Sequence, residues 1–415
     1  GDLHITYPGL WSLLPDIVFI NVKELIEDGI NPRGKSLNVS RIPSVKTLDN
    51  LSSALSMIIS LISKEASQEV VMDGLVSLLS KYSKNLSELE QKIVEAFVKS
   101  STTLKYNKAP TMVSFVIHLG TEQKIVNAVL SAYRTYTQLT PIPMIGLVIN
   151  YEKGIVSNVS EILSEIITLG GKIMFSKHHV SQKGVIHSKN TSITSLHLCS
   201  LSINLPRLAF ESNKDETYFR ARLALLMKPA LTSMALRKKS ISDLVRLGIN
   251  PVLADSTQYM QRSSVSLIVN LTGLHNAVYG ILGFKDDKQG KEILHKVIET
   301  AVDIASKKAK ELSVNVMISI TESDGSDRFV SLDEEKYGKD SILKITDDET
   351  YSQGITLDGD AMTELTAKSA EIVECNKITK ILNGGLLVPL KIPEGTKVTQ
   401  IKKILFLKSF IIIFS

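Results

Sequence analysis

Cysteine is nearly absent: Cys199 and Cys375 are the only two in 415 residues. They form no Cys-x-x-Cys pair, which excludes a zinc site built from cysteines and leaves no basis for a disulfide framework. Such sparse use fits a reducing, cytoplasmic setting. A dominant charge is lacking too. Lys and Arg number 48 against 43 Asp and Glu, a formal excess of +5 spread along the chain. Runs such as Arg237-Lys238-Lys239 and Lys307-Lys308 read as solvated helix faces rather than a nucleic-acid surface. The apolar stretch at the end, Ile404–Phe414, is interrupted by Lys408 and Ser409 and is too short to span a bilayer. It reads as a final buried strand or as an apolar tail over 406–415. No secretory leader precedes Gly1-Asp2-Leu3-His4-Ile5, which reads as the start of a trimmed chain. A P-loop, a Gly-x-Gly-x-x-Gly after a strand and a Ser/His/Asp order are all missing, so hydrolase and Rossmann readings have no support.

What is present is an alternation of helical and strand periods without low-complexity linkers. Leu48, Leu51, Leu55, Ile58 and Ile62 recur at helical spacing. Ser87 with Glu90, and Asn158 with Glu161, have the spacing of capping boxes, and Gly170-Gly171 ends the second helix. Strand-like runs cover Met112–Leu119, Ile145–Tyr151, Ile173–Phe175, Leu196–Leu205, Val265–Leu271 and Val314–Ile320. Several are apolar on both faces, as parallel strands covered by helices are. The clearest unit joins an amphipathic helix through Ile293, Val297, Ala301 and Ala305 to the strand Val314–Ile320. A polar loop, Thr321-Glu322-Ser323-Asp324-Gly325-Ser326, follows. Loops at the C-terminal ends of parallel strands are where α/β folds place ligands. The architecture is α/β and a single large domain.

The stretch Ser202–Glu211 reads as a strand end, a proline stop and a polar turn. Its Ile203-Asn204-Leu205-Pro206-Arg207-Leu208-Ala209-Phe210 resembles the I-N-L-P-R-I-A-Y segment of anaerobic (class III) ribonucleoside-triphosphate reductases. Further matches run in the same order. Gly1-Asp2-Leu3-His4-Ile5 resembles that family's G-D-I-H-I-H-D opening, with Thr6-Tyr7 in place of His-Asp. Gly273-Leu274-His275-Asn276-Ala277, followed by Leu282-Gly283, resembles G-L-N-E-A and L-x-G, with Asn276 where the family has glutamate. Ile320–Ser323 with Arg328-Phe329 resembles T-P-A-E-S…R-F, and Asp333 with Tyr337-Gly338 extends it. Leu382-Asn383-Gly384-Gly385 resembles the T-G-G near the end of the barrel.

The resemblance implies the ten-stranded α/β barrel of glycyl-radical enzymes and ribonucleotide reductases. The barrel would occupy 1–405 as two half-barrels, roughly 1–205 and 206–405, and assemble as a homodimer. It also implies a chemistry: a glycyl radical passes its electron hole to a cysteine on a loop inside the barrel, and the thiyl radical abstracts hydrogen from the ribose. These residues show no Arg-x-Cys-Gly-Tyr-like segment and no four-cysteine zinc site. The stretch Lys172–Lys183, where the thiyl cysteine belongs, contains none. Serine or histidine cannot replace it, because their O–H and N–H bonds are too strong to form an equivalent radical. Cys199 falls in the strand Leu196–Leu205. Period-2 counting puts it with His197 and Ile203, opposite Asn204. Cys375 follows Glu374 in a polar helix.

No catalytic residue is therefore assigned. The candidate nucleotide-binding residues are Asn204 and Arg207 at the strand end, and Glu322, Ser323, Gly325 and Ser326 in the loop, whose N–H groups and hydroxyls suit phosphate. Glu322, Asp324 and Asp327 oppose an anion unless Mg²⁺ accompanies the nucleotide. His178, His179, His187 and His197 form the histidine cluster, without the spacing of a metal site. His295 pairs with Glu299 four residues on. The expected ligand is a ribonucleoside triphosphate or a deoxynucleotide effector. The expected partners are a second copy, an intact reductase or a radical-bearing subunit, with no nucleic acid and no membrane. Two functions remain open: a reductase-family chain inactive by itself, part of a split or longer enzyme, and a non-catalytic nucleotide-binding, scaffold or regulatory relative.

Overall fold

A computed structural model describes residues 3–5, 14–29, 44–82, 84–106, 111–151, 157–178, 180–186, 195–250, 252–253, 265–283, 287–322, 325–346, 350–355, 370–390 and 411–414. In chain order the first half contains β1 (Leu3–Ile5), β2 (Ile17–Asn21), α1 (Val22–Asp28), α2 (Leu48–Ile62), β3 (Glu69–Asp73), α3 (Leu75–Leu79), α4 (Leu86–Tyr106), β4 (Met112–His118), α5 (Gln123–Leu139), β5 (Ile145–Asn150), α6 (Ser157–Thr168) and β6 (Ile173–Ser176). The second half contains β7 (Ser195–Asn204), α7 (Leu205–Ser212), α8 (Glu216–Arg246), β8 (Val265–Thr272), α9 (Leu274–Leu282), α10 (Asp287–Leu312), β9 (Asn315–Ile320), α11 (Ser326–Tyr337), α12 (Lys339–Leu343), α13 (Ala370–Ile381), β10 (Gly385–Leu390) and β11 (Ile411–Phe414).

β2 to β6 pair in parallel. So do β7, β8 and β9, then β9, β10 and β11. The two sets meet antiparallel at β2–β7 and β6–β11, which closes a ten-stranded ring, with β1 alongside β7. The apolar run at the chain's end supplies β11. Because the half-barrels run oppositely, the C-terminal ends of β7 to β9 share a mouth with the N-terminal ends of β2 to β6.

Both strand faces are dry. Outward side chains such as Val70, Phe115, Leu147, Leu267 and Ile318 join the helices in one large apolar layer. Inward ones, among them Ile17, Phe19, Val71, Val116, Val148, Met174, Ile268, Met317 and Leu387, form a second cluster inside the ring. Two-sided burial explains why β5 and β8 are buried at every position. Val180 and Val185 complete the inner cluster. They belong to a hairpin that leaves β6, turns at Ser181–Gly184 and is closed by a Val180–Ile186 bridge. The barrel is thus filled by a finger of its own chain.

Several local readings are corrected. Ile203–Phe210 continues into helix α7 rather than a polar turn, since Pro206 is tolerated in a helix's first turn and Asn204 caps it. The first capping box is Asn85 with Glu88, two residues before Ser87–Glu90: Glu88 N–H donates to Asn85 Oδ1 and Asn85 Nδ2 to Glu88 Oε2. His295 bonds Glu374 of α13, not Glu299. The face assignment in β7 is reversed by a register irregularity between Leu198 and Ser200. His197 pairs with Ser266 and packs edge-on against Phe19 inside the barrel, the side on which Ser202 and Asn204 also lie by register. Period-2 counting fails across a bulge, because the extra residue shifts every later side chain to the other face. Cys199 is that extra residue; its side chain lies outside the described ones.

Candidate functional site at the second-half mouth

Three helices start at the mouth formed by the ends of β7, β8 and β9. α7 follows β7 directly, α9 follows β8 after Gly273, and α11 follows β9 after the short loop 321–325. Helix N-termini present unpaired N–H groups and a positive dipole end. The inner strand faces leading to them are polar and small. Asn270 Oδ1 accepts the Thr321 N–H at 2.8 Å, and Asn270 Nδ2 donates to Thr321 O at 3.0 Å. The Ser319 and Thr321 hydroxyls gather on the same Asn270 oxygen.

Asn204 and Arg207, both candidates, meet at one buried carboxylate. Asn204 Oδ1 accepts the Arg207 N–H at 3.1 Å, and its Nδ2 donates to Asp333 Oδ2 at 2.8 Å. Arg207 Nε donates to Asp333 Oδ1 at 2.5 Å and its terminal nitrogen to Leu332 O at 2.9 Å. The Tyr351 hydroxyl donates to Asp333 Oδ2 at 2.8 Å. Burial first, then the neighbouring Asp333 charge, pushes the Tyr351 phenol up, so it stays a donor. This cluster bolts the start of α7 to the middle of α11 beside the mouth.

The loop candidates divide. Glu322 is exposed; Ser323 and Asp324 lie outside the described residues. Gly325 precedes α11 with no side-chain cap, and Ser326 Oγ donates to Tyr351 O at 3.0 Å. Sequence reasoning misses the segment 350–355, which stitches α9 to the mouth. Gly273 N–H donates to Ser352 O, Ser352 N–H donates to Asn276 Oδ1, and Asn276 Nδ2 donates to Ile345 O. A glutamate at 276 would keep the acceptor and lose the donor.

The finger hairpin reaches the same mouth. Gly184 packs against Thr321 Cγ2 and the Leu387 side chain, and Ile186 N–H donates to Gly384 O. A Cβ at Gly385, whose φ is 120°, would land on the Gly184 carbonyl oxygen, which accounts for glycine there. The tip is held by Glu69 at the start of β3. Both its oxygens accept the Gln182 N–H, at 2.9 and 3.0 Å, and Ser114 Oγ donates to it at 2.6 Å. Gln182 Nε2 donates to Leu147 O at 2.7 Å. Burial pushes the Glu69 carboxyl up to about 7, against the opposing bonds from Gln182 and Ser114. Residues 177–186 include no sulfur. Of the histidine cluster, His178 is exposed, His197 is inside the barrel, and His179 and His187 lie outside the described residues. No group of three or more His, Cys, Asp or Glu side chains with metal-holding geometry occurs among the described residues. None of their helices is long and apolar enough to cross a membrane.

This arrangement, an internal finger in a ring of two opposed half-barrels, is matched by sequence. A family model described as anaerobic ribonucleoside-triphosphate reductase matches residues 147–408, more than half of the chain. The chain belongs to this family. An anaerobic ribonucleoside-triphosphate reductase of Haemophilus influenzae is 27% identical over 176 residues, which is 38% of this chain and 24% of that protein. The alignment thus spans about a quarter of the curated relative's length. Among solved structures, the anaerobic ribonucleotide reductase of Thermotoga maritima in complex with dATP and CTP superposes with a TM-score of 0.73. The two are 15% identical, over 100% of this chain and 76% of that one. The same enzyme with dATP in its specificity site also gives 0.73 at 15% identity, over 100% and 77% of the two chains. A glycyl radical enzyme from Archaeoglobus fulgidus gives 0.57 at 10% identity, over 90% and 62%. At these identities the structural likeness concerns the barrel alone, and it is the fold expected from the family's motifs.

Proposed function

We propose that these residues form a reductase-family barrel that binds a nucleotide at the second-half mouth and performs no ribose reduction by itself. The carrying observation is the convergence of three helix N-termini and the finger tip on one polar mouth. Helix starts suit phosphate, and the finger tip stands where a group acting on the sugar would be delivered. That tip offers Ser181, Gln182 and Lys183 and no thiol. Asn204 and Arg207, engaged by Asp333, hold α7 to α11 beside the mouth. Glu322, Gly325 and Ser326 lie around the start of α11, where Mg²⁺ arriving with the nucleotide would offset the Glu322 and Asp327 carboxylates. A ribonucleoside triphosphate or a deoxynucleotide effector is the ligand class.

Anaerobic calorimetric titration with ribonucleoside triphosphates and deoxynucleotides, with and without Mg²⁺, tests the binding half of this reading. Micromolar binding, strengthened by Mg²⁺, is expected, together with no deoxyribonucleotide product on prolonged incubation with reductant. Absence of binding by every nucleotide would leave a scaffold instead. Product formation would show that a thiol outside the hairpin serves.

A further inference from the structure

The three helix starts at this mouth are not equivalent. At α7 the Asn204 side chain already accepts a first-turn N–H. At α11 the first turn carries Asp327, and exposed Glu322 precedes it; carboxylates at that end compete with an anion for the helix dipole. α9 differs on both counts: Gly273 precedes it with φ 71°, no side chain caps it, and its first turn has no acidic residue. Gly273 N–H is taken by Ser352 O, and the helical ladder begins with Ala277 N–H donating to Gly273 O. The Leu274 and Asn276 N–H groups, in the first turn, have no acceptor within the helix.

A second observation lies beside this start. Thr272 is 1% exposed, yet its hydroxyl has no hydrogen-bond partner. It ends β8 in register with Asn204 and two positions beyond Asn270, on the inner face. A buried hydroxyl left without a partner is unfavourable and rare in folded proteins. The residue that follows must be glycine, since its φ is 71° and a Cβ there would lie 2.5 Å from Pro206 Cγ. Asp333, the carboxylate nearby, is already matched by Arg207, Asn204 and Tyr351.

We propose that the start of α9 is the phosphate seat of this mouth, with the Thr272 hydroxyl and the Leu274 and Asn276 N–H groups holding a phosphoryl group of the bound nucleotide. The proposal rests on the nucleotide reading above and assigns the phosphate to α9 rather than to the 322–326 loop.

The test uses Thr272→Val, which removes the hydroxyl at nearly constant volume, and Thr272→Ser, which keeps it. Because the hydroxyl bonds nothing in the free protein, Thr272→Val should leave Tm unchanged or raise it, whereas a structural hydroxyl would lower it. Titration with a nucleoside triphosphate and with inorganic tripolyphosphate should show a loss of about ten- to a hundredfold in affinity for Thr272→Val and near-native binding for Thr272→Ser, as loss of a charge-assisted hydrogen bond produces. Equal triphosphate affinity in wild type and Thr272→Val would overturn the α9 seat and leave the nucleotide reading standing. Binding of tripolyphosphate that depends on the hydroxyl, without nucleotide selectivity, would support the seat and count against the nucleotide reading. Failure of the wild type to bind either probe overturns both.

Discussion

Replacing Asp333 with alanine should destabilise the barrel by about 3–5 kcal/mol, the usual consequence of deleting one member of a buried ion pair. The Arg207 side chain is 9% exposed and that of Asp333 is fully buried, so the guanidinium left behind cannot recover its hydration. The loss also strands the Asn204 amide and the Tyr351 hydroxyl, both of which donate to Asp333. Urea denaturation of Asp333→Ala at neutral pH measures this directly. Asp333→Asn, which keeps an acceptor but not the charge, should lose less. The double variant Arg207→Met with Asp333→Leu should recover most of the stability, because an apolar replacement carries no desolvation cost. A loss below about 1 kcal/mol in Asp333→Ala would mean that α7 and α11 are held by their apolar contacts rather than by this carboxylate.

The second large effect is on pH dependence. Burial raises Glu69 to about 7 from its ordinary 4.5, with Ser114 of β4 and Gln182 and Lys183 of the hairpin facing it. Glu65 is raised to about 7 as well, by burial opposed by the Val252 and Leu253 N–H groups. Between pH 4.5 and 7 the folded chain therefore retains protons that the unfolded chain has released. Stability is greatest below that window, falls as pH rises through it and stays lower above it. At about 1.4 kcal/mol per unit, Glu69 alone accounts for a decline of up to about 3 kcal/mol. Unfolding free energies measured at intervals from pH 4.5 to 8 should therefore show a shallower slope in Glu69→Gln than in the wild type. Parallel curves would mean that the carboxyl titrates normally and that the finger tip is open to water.

The strands and their two-sided burial are legible in the sequence because β-branched runs such as Ile145–Asn150 and Val265–Thr272 carry the signal within themselves. The ten-stranded ring is legible only through the family motifs, since alternation does not distinguish a closed barrel from an open sheet. The bulge in β7 is invisible, because nothing in Leu198-Cys199-Ser200 marks an extra residue, and it inverts the face of His197. Asp333 stands in the sequence as one letter of a motif; its bond to Arg207 spans 126 positions and leaves no local trace. The same holds for Glu69 and Gln182, 113 positions apart. Thr272 is an ordinary strand residue until its environment shows that its hydroxyl has nothing to bond. Site chemistry was thus least legible where long-range pairing decides which polar groups are already spent.

The most direct test of a nucleotide site at this mouth is amide hydrogen exchange with and without saturating nucleoside triphosphate and Mg²⁺. The structure predicts added protection in peptides spanning 270–278 and 321–328, where α9 and α11 begin, with the opposite mouth, at Asn21, Asp73, His118, Asn150 and Ser176, unchanged. Protection confined to that opposite mouth, or none anywhere in the barrel, would contradict the account.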